Sequence, residues 1–160
     1  MLGHISFGVS DLERSRRFYD AALGALGYAR VYTGDRAVGY GAPGSRDDRL
    51  LLIAQPAGAT PPGAGFHLAL IAPSREAVHG FHAAALASGG VDEGAPGLRP
   101  HYGPDYYAAF VLDPDGYKLE AKHPPADGDG RAIRPIAAPL KHDVIPEASA
   151  SELSGIYFPQ

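Results

Sequence analysis

The chain has 160 residues, which suits a single domain with a sizeable core. It carries 14 basic and 18 acidic residues, a formal net charge of −4 and no basic run, so neither nucleic acid nor an anionic membrane is an expected partner. Cysteine is absent, which excludes disulfides and thiolate metal sites; any metal must be held by histidine and carboxylate.

The opening stretch, "MLGHISFGVSDLERS", lacks the features of a signal peptide. No apolar stretch reaches the roughly 18 residues of a membrane span, so a cytoplasmic protein is expected. In "HISFGV" the residues Ile5, Phe7 and Val9 alternate with His4, Ser6 and Gly8, which predicts a strand. Ser10, with Glu13 three residues on, reads as a capping box, and Leu12, Tyr19, Ala22 and Leu26 follow near helical spacing. Two short apolar runs come next, "RAVGYGA" and "RLLLIAQ", each of strand character. Gly39, Gly41 and Gly44 match a G-x-G-x-x-G pattern, but a polar loop and a strand follow, where a dinucleotide site needs a helix.

At Phe66 the pattern starts again. "HLALIAPSREAVHGFHAAAL" has Leu68 and Leu70 alternating from His67, a helix opened by Pro73-Ser74, and an apolar stripe of Val78, Phe81, Ala85 and Leu86. His67 follows His4, and Phe81 follows Phe18, by the same 63 residues (67 − 4 and 81 − 18), which points to an internal duplication. His79 and His82 read as surface or helix-packing residues. The expected architecture is α+β: two βαβββ modules, about residues 2–57 and 65–124, whose sheets curve around a trough. A Pro- and Ala-rich extension, 125–160, lacks strand periodicity.

The segment "LRPHYGPDYY", residues 98–107, precedes a strand and is expected at the mouth of the trough. His101, Tyr102 and Tyr106 are candidates for substrate binding or acid–base work, and Arg99 for taking a carboxylate or phosphate. The alternative is a proline-stiffened loop whose tyrosines cover the core edge. After "YYAAFVL", the sequence "DPDG" suits a type I hairpin turn with Gly116 left-handed, setting Asp113 opposite Tyr117 and Phe110 opposite Glu120. Phe110, Ala108 and Tyr106 then share a face with Glu120, a set typical of a cleft lining.

Parity also orients the histidines. If Ile5, Phe7 and Val9 face the first helix, then His4 and Ser6 face away from it; if Leu68 and Leu70 face the second, so does His67. His4, His67 and Glu120 would then converge in the trough as two imidazoles and a carboxylate, a ligand set that leaves open positions on a divalent metal such as iron, zinc, nickel or manganese. The alternative is hydrogen-bonded structural histidines, with Glu120 paired to Lys118 or Lys122.

"HISFGVSDLERSRRFYDAAL", "FHLAL" and "FVLDPDGYKLEA" resemble the vicinal-oxygen-chelate superfamily, over about residues 2 to 124. That group includes glyoxalase I, extradiol dioxygenases, epimerases, fosfomycin-resistance transferases and bleomycin-resistance binding proteins. The resemblance implies the paired βαβββ fold and a divalent metal held by His4, His67 and Glu120; the trough residues Ser6, Ala108, Phe110, Arg99 and Tyr102 are the candidates for meeting a small oxygenated substrate. Glu120, Tyr106 and His101 are the catalytic candidates, and the resemblance implies a homodimer, since several such families share the trough between subunits. It leaves open lyase or isomerase chemistry, ring cleavage, and binding without catalysis. Two departures bear on the choice. The strand "RLLLIAQ" lacks the glutamate that glyoxalase I carries there, and Phe110 stands where fosfomycin transferases and extradiol dioxygenases have tyrosine.

Overall fold

A computed structural model describes residues 3–124; the expectations for 125–160 fall outside the described residues. The first module runs β1 (Ile5–Val9), α1 (Leu12–Ala25), β2 (Ala29–Thr33), β3 (Ala37–Gly41) and β4 (Asp48–Ala54). The second repeats that order with β5 (Leu68–Ile71), α2 (Arg75–Ala87), β6 (Val91–Leu98), β7 (Tyr107–Leu112) and β8 (Lys118–His123). Each module builds a four-stranded sheet, β1-β4-β3-β2 and β5-β8-β7-β6. In both, the first strand lies parallel to the last, and the other pairs are antiparallel. This is the duplicated βαβββ architecture anticipated from the 63-residue register.

The alternation works as expected. Phe7, Val9, Leu50, Leu52, Val38 and Tyr40 are buried under α1, which contributes Phe18, Tyr19, Ala22 and Leu23. The second sheet buries Ala109, Val111, Leu119 and Ala121 beneath Val78, Phe81 and Ala85 of α2. Removing a large apolar side chain of this kind from water stabilises the fold by roughly 1.5–3 kcal/mol each. Leu86, expected in the α2 stripe, is 38% exposed. It follows Ala85 by one residue, hence lies about 100° round the helix from it.

The modules also share polar and aromatic contacts. Phe7 of β1 stacks on Tyr117 beside β8, with ring centroids 4.2 Å apart. The Asp-Pro-Asp-Gly turn reaches across to α1: Asp115 accepts from Arg14 at 2.8 Å and from Ser15 at 3.2 Å, and Tyr19 donates to the buried Asp113 at 2.7 Å. The cap of α1 is therefore displaced from the expected one. Asp11, not Ser10, accepts from the Arg14 N–H at 3.0 Å, because the Ser10 hydroxyl is taken by Asp115. Ser74 caps α2 as anticipated. No helix among the described residues is long and apolar enough to cross a membrane.

Candidate functional site

The turn at Asp113–Gly116 fixes the register of β7 against β8. Gly116 takes φ +95°, and Asp113 accepts from the N–H groups of Asp115 and Tyr117. Phe110 thereby falls opposite Glu120, and Ala108 opposite Lys122, as the sequence indicated. Parallel pairing of β5 with β8 sets Ala69 beside Glu120 and carries His67 to the same side.

Glu120 is the chemical centre of this face. It is only 1% exposed, and an unpaired carboxylate at such a depth would be costly. Both of its oxygens have partners. Tyr106 donates its hydroxyl to Oε1 at 2.6 Å, and Nε2 of His67 lies 3.1 Å from Oε2. Burial, together with the hydrogen bond to Glu120 and its charge, raises the Tyr106 phenol well above its usual range, so it is a neutral donor at physiological pH. Lys118 pairs instead with Glu93 at 3.1 Å, and Lys122 sits over the Tyr106 ring at 4.4 Å. Neither lysine takes Glu120, so the pairing weighed against a ligand role is not the one formed.

His67 remains 43% exposed, so its ring is open to solvent on the side away from Glu120. Its Nε2 and the Glu120 Oε2 fit a metal's needs. Adjacent donors on one divalent ion, at bond lengths of roughly 2.1 Å, stand about 3 Å apart. His4 does not join them in one chain. It is exposed at the entrance to β1 in the other sheet, and among the described residues no three His, Asp or Glu side chains group closely enough to hold an ion. Ser6 likewise lies exposed on the first sheet, opposite Leu51.

A cleft of about 390 Å³ opens beside the pair, lined by His67, Phe110, Arg99, His101, Tyr102 and Lys118, among others. The His67 and Phe110 rings meet edge to face, with centroids 6.2 Å apart. The loop joining β6 to β7 closes through Arg99 N–H to the Tyr106 carbonyl at 2.7 Å. Its aromatics form a run, His101 on Tyr102 at 4.1 Å and Tyr102 on Tyr106 at 5.2 Å, from the 59%-exposed Tyr102 down to the donor on Glu120. Ala108 is buried below and does not line the cleft. Lys118, Glu93 and Gly94 line it without having been singled out in the sequence. Lys118 shares the parity of Glu120 and was readable, whereas Glu93 and Gly94 sit on β6, a strand that the sequence does not announce.

Residues 1–121 match the family model for the Glyoxalase/Bleomycin resistance protein/Dioxygenase superfamily. Among solved structures, a glyoxalase/bleomycin resistance protein from Albidiferax ferrireducens is 37% identical, with TM-score 0.66, over 77% of this chain and 98% of its own. A putative glyoxalase from Bacillus halodurans is 29% identical, with TM-score 0.58, over 78% of this chain and 96% of its own. A glyoxalase I mutant from Zea mays shares the fold at 24% identity and TM-score 0.61, and this chain corresponds to 44% of its length. No curated protein matches the chain.

Proposed function

Because the chain belongs to the glyoxalase/bleomycin resistance protein/dioxygenase superfamily, we propose that it is a metal-dependent enzyme acting on a small oxygenated substrate chelated to a divalent metal that His67 and Glu120 help to hold. The observation that carries this reading is the buried Glu120 with its Oε2 set 3.1 Å from Nε2 of an otherwise accessible histidine. The third ligand is His4 of a second copy. Among the described residues of one chain His4 stays outside any three-residue group, and it lies on the open face of the first sheet with Ser6 and the half-buried Leu51 and Ile53. A homodimer that turns this face onto the second sheet of its partner closes the site over the cleft.

His67 and Glu120 would hold a divalent ion there, and its chemistry would be Lewis-acid polarisation of an oxygen or activation of water. The protein's own contribution is positional. Tyr106 holds one oxygen of Glu120, which leaves the other to face His67; His67 supplies a nitrogen; Phe110 and the loop carrying His101 and Tyr102 wall the cleft. His101 lines the same cleft beside Tyr102.

The test is elemental analysis of protein purified without added metal, followed by titration with iron, zinc, nickel and manganese. Bound metal in the wild type, and at least about 100-fold weaker binding in Glu120→Gln at unchanged thermal stability, is the expected result. Absence of metal binding in the wild type would favour the competing reading, a protein that sequesters a small molecule without catalysis.

A further inference from the structure

The cleft carries a feature that metal binding does not use. Arg99 lies across β6, donating from Nη2 to the Ala95 carbonyl at 2.6 Å and from Nη1 to the Leu98 carbonyl at 3.3 Å. The strand makes room for it with glycine. A Cβ added at Gly94 would stand 3.2 Å from Nη2, and one at Gly97 3.2 Å from Nη1. Its guanidinium carbon is 5.6 Å from the centre of the Phe110 ring, and Lys118 Nζ is 5.4 Å from the same centre. Lys118 has Glu93 as a partner, whereas Arg99 forms no ion pair among the described residues. A guanidinium has five N–H donors, so two carbonyl bonds leave its fork available.

We propose that Arg99 binds the carboxylate of the substrate, and that the substrate is a flat acid whose body lies along Phe110 toward His67 and Glu120. Three observations converge on this class. The charge is permanent and lacks a carboxylate partner, which calls for an anion. The guanidinium is pinned and planar, so it suits a two-point grip on a carboxylate. The surrounding walls, Phe110 and Tyr102, are aromatic rings, which favour a planar partner over a branched one. This inference deepens the reading of the site as a substrate cleft, but it does not need a metal to be present.

Benzoate and benzamide share a shape and differ in charge, so they isolate the anion subsite. Their binding is measured by calorimetry at low ionic strength on the full chain, with inorganic phosphate as a third probe. Benzoate should bind at least about tenfold more tightly than benzamide, and Arg99→Gln should abolish that preference. Arg99→Lys keeps the charge without the fork, so it should retain part of the preference. It serves as the test should the glutamine variant not fold.

Equal affinities in the wild type, or a preference undiminished in either variant, would overturn the proposal. So would no binding of any probe up to about 10 mM. Phosphate binding as tightly as benzoate, with the same dependence on Arg99, would overturn the assignment of a flat carboxylate. A nickel titration separates this inference from the metal reading. Arg99→Gln should bind nickel as the wild type does. If the wild type binds none of nickel, zinc, iron and manganese but prefers benzoate through Arg99, the metal reading fails and the carboxylate subsite stands.

Discussion

Glu120 joins two requirements that usually conflict: burial and charge. Its side chain is buried on the sheet opposite Phe110, where an ion is costly, yet each oxygen meets a polar group. Tyr106 is the residue that makes this tolerable. In the proposed centre it acts through the ligand, fixing one oxygen so that the other points toward His67. Tyr106→Phe should therefore weaken metal binding by about 10–100-fold while the protein still folds, as metal titration and thermal melting would reveal. Unchanged metal affinity would make Tyr106 a wall of the cleft and nothing more. The pairing of Phe110 with Glu120 was legible beforehand, because a four-residue turn with a left-handed glycine fixes the register across a hairpin. That Tyr106 reaches back to Glu120 was not legible, since its hydrogen bond depends on the path of the loop from Arg99.

Among the elements, the hairpin turn does more than set register. Asp113 accepts from the Tyr19 hydroxyl and from two backbone N–H groups, while Asp115 ties down the start of α1. Asp113→Ala leaves those donors buried without an acceptor and should cost at least about 2 kcal/mol of stability, measured by urea unfolding. Burial raises the Asp113 carboxyl above its ordinary range, against the pull of its hydrogen bonds. A raised folded pKa means that the contribution of Asp113 is full below about pH 4 and fades as pH climbs through the folded value. Asp113→Asn cannot titrate, so its penalty relative to wild type should shrink between about pH 4 and pH 7. A penalty that grows with pH would show that charged Asp113 is favoured by the fold. The strands β2 and β6 were the elements that sequence reading did not name. Arg30, Tyr32 and Thr33 give β2 little apolar alternation, and β6 is broken by Gly94, Pro96 and Gly97; both are edge strands, held by one neighbour each. At β4 the missing carboxylate has a consequence. Leu51 and Ile53 occupy the face away from α1, so β4 supplies no glutamate to move a proton. Turnover of the methylglyoxal–glutathione adduct should lie at least about 100-fold below that of an ordinary enzyme, whichever metal is added. Efficient turnover would assign the proton transfer to a residue other than a β4 carboxylate.

At the scale of the whole molecule, the duplicated modules account for the divided site proposed above. The same register that placed His4 and His67 at equivalent positions also put them on different sheets, and each sheet is bonded only within its own module. Parity could show that both histidines face away from the helices. It could not show which copy's open face each would meet, because strand alternation holds no information on how two sheets are oriented. The proposed two-fold dimer would make that arrangement self-consistent, forming two equal sites, each from one copy's His4 and the other's His67 and Glu120.

Complementation tests this most directly. His4→Ala and Glu120→Gln each remove one side of every site, so neither homodimer should hold metal. In a hybrid dimer, His4 of the Glu120→Gln copy meets the intact His67 and Glu120 of the His4→Ala copy, and one complete site returns. Equal amounts of the two variants, unfolded together and refolded, should recover about a quarter of the wild-type metal, the share expected from random pairing. Recovery of none, while each variant alone folds and dimerises, would contradict a site shared between copies.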